Sequence, residues 1–196
     1  MKIGIDIDDT IADAYGLMFD FAQEYDIKYL NKEGVIDTEK GIRGFYIGQI
    51  YGWTAEETTK FFEIYYKKAL QMVKPKMFAA EIIEQLKKEG NQIIIISSRF
   101  NNSSVTNINE ITKKWMKKYG INYDKLYTEV KDKVEIVKKE NIDIYIDDDC
   151  DVCEKVSKLN KRVYLMNLES NRRAKENRKI TRVYSWIQLK KYLNNL

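Results

Sequence analysis

Four consecutive isoleucines occupy positions 93–96, inside the short apolar run 92–97. A strand made of such a run has no polar face. It must be covered on both sides, and sheets covered on both sides are mostly parallel. Other segments agree with that demand. Residues 3–7 read as a second buried strand, and weaker ones are expected at 125–128, 142–146 and 162–166. Between them lie amphipathic segments with helix punctuation. Residues 77–89 sit between Pro75 and Gly90, and residues 105–119 end at Gly120. Another helix starts after Asp132, with Glu135 placed to complete a capping box. Strand alternating with helix predicts a doubly wound, Rossmann-like α/β layer with a parallel sheet.

One stretch breaks the alternation. Residues 14–74 contain no convincing strand and read as two helices around a glycine-rich middle (Gly34, Gly41, Gly44, Gly48, Gly52). The second helix opens at Thr54-Ala55-Glu56-Glu57, a capping box. More than half of the aromatic residues fall in this stretch, enough for a small core of its own. The expected organisation is a core of residues 1–13 and 75–196 with a helical insertion, 14–74, after the first strand.

The chain has no histidine. That excludes a Ser-His-Asp triad, an H-E-x-x-H zinc site and a Cys-His pair, so acid-base chemistry falls to Asp, Glu, Lys, Tyr or Cys. The net charge of +4 permits an anionic partner without demanding one. Two cysteines are too few for a disulfide framework and point to a reducing, cytoplasmic setting. Asp6 interrupts the N-terminal apolar run before a signal-peptide hydrophobic region develops. No window approaches the roughly 18 apolar residues of a membrane span. A membrane partner is not expected.

In doubly wound sheets, ligands bind beyond the carboxyl ends of the strands. The first strand runs into Asp6-Ile7-Asp8-Asp9-Thr10, the isoleucine strand into Ser97-Ser98-Arg99, and the fourth into Asp147-Asp148-Asp149. Carboxylates from two strands meeting at one edge repel each other unless a cation lies between them. Oxygen ligands without His or Cys select a hard ion, Mg²⁺ above all. The bland alternative, that strand-end aspartates cap the next helix, is preferred for Asp149.

Asp6-x-Asp8-x-Thr10, the strand-end Ser97, Lys133 and Ile146-Asp147-Asp148 resemble the four motifs of the haloacid-dehalogenase-like hydrolases, in the same order along the whole chain. The start Ile5-Asp6-Ile7-Asp8-Asp9-Thr10, the pair Asp132-Lys133 and the tail from Asn171-Arg172 to Thr181-Arg182-Val183-Tyr184-Ser185-Trp186 are more specifically similar to bacterial nucleotidases related to 5′(3′)-deoxyribonucleotidases. Ser97-Ser98-Arg99 departs from the Thr-Ala-Arg or Thr-Ser-Pro of such relatives. The resemblance implies a Mg²⁺-dependent phosphomonoesterase with Asp6 as nucleophile and Asp8 as general acid and base. It implies metal ligands at Asp6, Asp147, Asp148 and the Asp8 carbonyl, and phosphate contacts from Ser97, Ser98 and Lys133, with Lys131 as the fallback if helix phase shifts. Arg99 could reach substrate or form an ion pair.

The implied substrate is a small phosphorylated molecule, a nucleoside monophosphate first and a sugar phosphate second. Phe45, Tyr46 and Trp53 are candidates for stacking a base, and Arg172 for the site rim. A catalytically silent scaffold or nucleic-acid-binding protein of the same fold is the competing class. The basic cluster from Arg172 to Arg182 lacks the interleaved aromatics of a stacking groove. Nucleic acid is therefore not expected, and that cluster reads as a solvated loop. Cys150-Asp151-Val152-Cys153 has redox spacing, but two sulfurs without histidine do not close a zinc site and the nearby aspartates disfavour thiolates. Oligomeric state stays open.

Overall fold

The computed structural model describes residues 1–42, 46–172 and 178–195. Six strands in this part form one sheet: β1 (Lys2–Ile5), β2 (Gln92–Ile96), β3 (Lys125–Tyr127), β4 (Ile144–Asp147), β5 (Arg162–Met166) and β6 (Ile180–Val183). Their order is β3-β2-β1-β4-β5-β6, and every adjacent pair is parallel. This is the Rossmann-like α/β layer that the isoleucine run demands. Ile93 and Ile95 pack on one face with α5 (Ala79–Lys88), α6 (Ile108–Lys118) and α9 (Trp186–Leu193). Ile94 and Ile96 pack on the other with α7 (Lys133–Glu140) and α8 (Cys150–Ser157). All four isoleucines are fully buried. The order turns back beside β1, so the ends of β1 and β4 flank the switch point where such sheets bind ligands.

Three local features differ from the sequence expectation. Strand β6 overlaps the end of the basic cluster read as a solvated loop, and helix α9 follows it where no element is expected. Two polar residues, Thr181 and Arg182, mask the strand pattern. Arg182 is nevertheless buried, because its guanidinium donates to Asn167 Oδ1 (3.1 Å) and Asn171 Oδ1 (2.8 Å). Helix α6 starts at Ile108 rather than Val105. Asn107 caps it, and the Asn101 carboxamide takes the Ile108 N–H at 2.8 Å. Asp132 caps α7 through the Val134 N–H (2.9 Å), one residue earlier than the capping-box partner Glu135.

The segment 14–74 carries four helices among its described residues, two more than expected: α1 (Ala14–Lys28), α2 (Thr38–Ile42), α3 (Ile47–Ile50) and α4 (Ala55–Met72). The expected capping box is present, with Thr54 Oγ1 accepting from the Glu57 N–H and Glu57 Oε2 from the Thr54 N–H. Gly48 lets α3 lie on α4, since a Cβ there would fall 2.3 Å from Thr58 Oγ1. Phe21, Tyr25, Trp53, Phe61 and Tyr65 form a cluster separate from those on the sheet. The chain enters and leaves this segment side by side. Asp13 N–H bonds Lys74 O (2.8 Å), and Lys76 N–H bonds Ile11 O (2.7 Å).

Candidate active site

Asp6 follows β1, and its N–H still reaches Ile146 O of β4 at 3.0 Å. Its carboxylate therefore stands beside the end of β4. The chain then turns sharply, with Ile7 O accepting from the N–H groups of Thr10, Ile11 and Ala12, and Asp9 left-handed at φ 61°. Asp9 points its carboxylate at the first turn of α1, taking the N–H groups of Ala14 (3.1 Å) and Tyr15 (2.7 Å). Burial pushes Asp9 up to about 6, against the Tyr15 bond. From the far end of the chain, the Trp186 indole donates to Thr10 O at 3.0 Å. The loop is thus held on three sides.

The Asp132 cap fixes the start of α7 and puts Lys133 in its first turn. Lys133 Nζ lies 2.7 Å from Asp6 Oδ1 and 3.0 Å from Asp147 Oδ2, and all three side chains are buried. Tyr145 donates its hydroxyl to Asp147 Oδ2, and the Asp149 N–H donates to Asp147 Oδ1. Thr10 Oγ1 donates to Asp148 Oδ1 at 3.2 Å. The Asn171 amide holds the next turn by donating to Asp148 O (2.9 Å) and Met166 O (2.7 Å). Asp149 caps α8 through the N–H groups of Asp151 and Val152.

These carboxylates are crowded. One oxygen each from Asp6, Asp147 and Asp148 lie within 4.8 Å of one another. Burial pushes Asp6 up to about 8, against the pull of Lys133 and with Asp147 and Asp8 adding to the rise. Burial, then Asp147 and Asp6, hold Asp148 well above the ordinary carboxylate range. Burial opposes the charge of Lys133, but Asp6 and Asp147 together keep it raised. With all three carboxylates ionised, one ammonium would leave negative charge in excess, which adds to the burial that pushes Asp6 and Asp148 toward protonation. The donor set, hard oxygens alone, fits a hard divalent cation.

Ser97 ends β2 and is buried; its Oγ accepts the Arg99 N–H at 3.1 Å. Ser98 turns away, exposed, and donates to Val130 O. Arg99 grips Asp8, with Nε 2.9 Å from Oδ2 and Nη2 2.7 Å from Oδ1. Asp8 and Asp9 open into a cleft of about 860 Å³ lined almost wholly by the 14–74 segment; Asp6, Ser97, Lys133, Asp147 and Asp148 do not line it. The other lining is mainly apolar and aromatic, including Tyr15, Phe19, Phe62 and Tyr66, with Ser170 from the core.

Of the stacking candidates, Tyr46 lines this cleft and is 85% exposed. Trp53 also lines it but is buried, with its indole N–H on Asp26 Oδ1 at 2.6 Å. Phe45 lies outside the described residues. Arg172 is exposed and pairs with Glu169. Lys131 is exposed, whereas Lys133 reaches the carboxylates. Burial pushes Cys150 up to about 11 and the buried Cys153 thiol up as well, with neighbouring aspartates adding to both, so neither is a ready thiolate.

Sequence reasoning from local pattern misses Tyr145, Phe62, Tyr66 and the network of Asn171 and Arg182. Tyr145 looks like any strand residue. The aromatic pair sits in a helix whose face cannot be assigned without the fold. The Asn171-Arg182 and Trp186 contacts have a signal only in the tail's resemblance, which says nothing of their partners.

The profile of the family described as 5′ nucleotidase, deoxy (pyrimidine), cytosolic type C protein matches residues 1–194. A protein from Clostridium acetobutylicum named as a nucleotidase is 29% identical over 190 residues, covering 96% of this chain and 91% of its own length. Among solved structures, a haloacid dehalogenase-like hydrolase from Streptococcus pneumoniae superposes with a TM-score of 0.69 at 12% identity, covering 98% of this chain and 97% of that one. CbbY from Rhodobacter sphaeroides, solved in complex with phosphate, gives 0.57 at 14% identity, with 96% and 95% covered. At such identities the structures share the fold.

Proposed function

Given that this chain belongs to the 5′ nucleotidase, deoxy (pyrimidine), cytosolic type C family, enzymes of the phosphatase and nucleotidase class, we propose that it hydrolyses (deoxy)nucleoside monophosphates through an aspartyl-phosphate on Asp6, with Mg²⁺ as cofactor. The observation that carries this reading is the meeting of Asp6, Lys133, Asp147 and Asp148 at the switch point. Asp6, Asp147, Asp148 and the Asp8 carbonyl would hold the ion. Once bound, Mg²⁺ neutralises the substrate dianion and the approaching carboxylate.

The chain's own residues account for the rest. An Asp6 oxygen attacks phosphorus; an O–P bond forms as the bond to the nucleoside oxygen breaks. Asp8 gives a proton to that leaving oxygen. It later takes one from the water that attacks the aspartyl-phosphate, releasing inorganic phosphate and restoring Asp6. Lys133 contacts both the nucleophile and the transferring oxygens. Ser97 accepts the Arg99 N–H and keeps its own proton for a phosphoryl oxygen.

Residues 14–74 act as a cap over this edge, with 1–13 and 75–196 as the catalytic core. The aromatic cleft suits a nucleobase better than a sugar. A base stacked on an aromatic gains about 1–3 kcal/mol by analogy with single-strand binding platforms, a preference of roughly five- to a hundredfold. The test is turnover of an aryl phosphate, mononucleotides, deoxymononucleotides and hexose and triose phosphates, with Mg²⁺ and with chelator. Nucleotides are expected to lead in kcat/KM, chelator to stop turnover and Asp6→Asn to abolish it. Full activity of Asp6→Asn or turnover in chelator overturns the mechanism. A tenfold lead for a sugar phosphate overturns the substrate.

A further inference from the structure

We infer that Arg99 is a positioning residue for Asp8 and does not itself touch substrate. This rests on the proposed role of Asp8 in moving protons. The Arg99 side chain is 1% exposed, whereas the Asp8 side chain is 39% exposed and faces the cleft. A substrate in that cleft meets the carboxylate and not the guanidinium behind it. Nε and Nη2 take both oxygens of Asp8, at 2.9 and 2.7 Å. A planar fork of this kind fixes the plane of a carboxylate as well as its position, which an ammonium cannot do.

Arg99 is itself held. Its N–H donates to Ser97 Oγ (3.1 Å), and its carbonyl accepts from the Glu129 N–H (2.9 Å). Its guanidinium lies over the Trp115 ring, 5.2 Å from the centroid. The Trp115 indole donates to Val73 O (2.9 Å), beside the point where residues 14–74 rejoin the core. On the next residue, Phe100 N–H donates to the Tyr66 hydroxyl of α4 (3.1 Å), and the two rings stack at 4.8 Å. The orientation of Asp8 is thus referred to the end of β2 and to α4 together.

The third nitrogen, Nη1, is buried without a hydrogen-bond partner. A buried charged donor without a partner costs stability, and buried ion pairs often stabilise less than apolar packing does, so packing alone does not account for Arg99. Two of the three nitrogens serve Asp8, and that contact is what the burial secures.

The experiment is a double-mutant cycle on kcat and KM, with Mg²⁺, an aryl phosphate and a nucleoside monophosphate: wild type, Arg99→Lys, Asp8→Asn and the double variant. Arg99→Lys is expected to lower kcat roughly ten- to a hundredfold for both substrates, the scale of a misplaced catalytic group, with KM little changed. In the Asp8→Asn background the same substitution should change kcat little, because its effect runs through Asp8. Thermal melting reports whether each variant is folded, and Arg99→Gln replaces Arg99→Lys if the latter is not. A raised KM with kcat kept, an unchanged kcat, or an equal loss in both backgrounds overturns the inference. An inactive Asp6→Asn alongside any of these leaves the phosphatase reading intact; an active one removes that reading instead.

Discussion

The carboxyl edge of the sheet and the 14–74 segment hold their side chains in different ways. At the edge, each group is fixed by strand register, helix caps and polar hydrogen bonds. Strand register sets Asp6 beside Asp147, the Asp132 cap sets Lys133, and Asn171 ties down the turn at Asp148. In 14–74 the aromatic side chains fix one another. Tyr25 alone packs against Tyr29, Trp53, Phe61 and Tyr65. The difference teaches where each kind of sensitivity lies. A substitution at the edge removes a chemical function and leaves the scaffold, while one in the aromatic cluster shifts its neighbours and reshapes the cleft.

The largest expected effect tests the edge. Asp8→Asn keeps the backbone carbonyl and the shape but loses the proposed proton carrier, so kcat should fall about 10²–10⁴-fold with phosphate binding largely kept. Steady-state kinetics and a phosphate inhibition constant measure both. A loss below that range would shift the proton to another group. Asp9 is poorly placed to take it, because its carboxylate already accepts two N–H groups of α1.

A second expectation concerns the charge crowded at the same edge. Without a cation, burial and like charges hold Asp6 at about 8, above its ordinary 3.8. The folded chain then keeps a proton that the unfolded chain has lost, so stability falls as pH rises from about 4 to about 8. Melts in chelator should give a lower Tm at pH 9 than at pH 6, and added Mg²⁺ should raise the pH 9 value more. A chelated protein with no loss of Tm toward pH 9 would contradict the crowding.

Legibility followed the same division. Strands β1, β2 and β4 were readable because continuous apolar runs demand two-sided burial, and their ends could be named without knowing the fold. Asp6, Asp147 and Asp148 are legible because carboxylates end otherwise apolar runs, whereas Lys133, one lysine among several in a charged helix, is legible only through its place in the motif order of the resemblance. Strand β6 was not readable. Arg182 is buried with Asn167 and Asn171 accepting its hydrogen bonds, and those partners are brought in by the fold. The short helices α2 and α3 were hidden for a related reason. Helix α3 lies on α4, as at Gly48 against Thr58, and α2 packs against α3, so both depend on neighbours rather than on a repeating pattern. The grip of Arg99 on Asp8 spans 91 positions, and no local spacing encodes it.

The smallest effect belongs to residues 14–74. Asp26 is buried, with Oδ1 taking the Trp53 indole N–H at 2.6 Å and Oδ2 the Gly34 N–H at 3.0 Å. Trp53→Phe keeps an aromatic ring beside Tyr25, Tyr51 and Phe61, which lie 4.9 to 5.1 Å away by centroid. It removes the donor and leaves Asp26 short of a partner, a cost of about 1–3 kcal/mol. The measurable outcome is a lower midpoint in denaturant unfolding. Because Trp53 also lines the cleft, KM for a nucleoside monophosphate should rise more than KM for a small aryl phosphate. For the aryl phosphate, kcat should stay near wild type, since the reacting groups all sit on the edge. Adding Asp26→Leu to Trp53→Phe replaces the stranded carboxylate with an apolar group and should recover part of the stability, because the penalty lies in the unsatisfied acceptor rather than in lost ring area. Equal destabilisation with and without that second change would show that the ring, not the hydrogen bond, holds this part of the 14–74 segment. A matching fall in kcat for both substrates would show that residues 14–74 reach the proposed reacting groups directly, and the division between the two regions would fail.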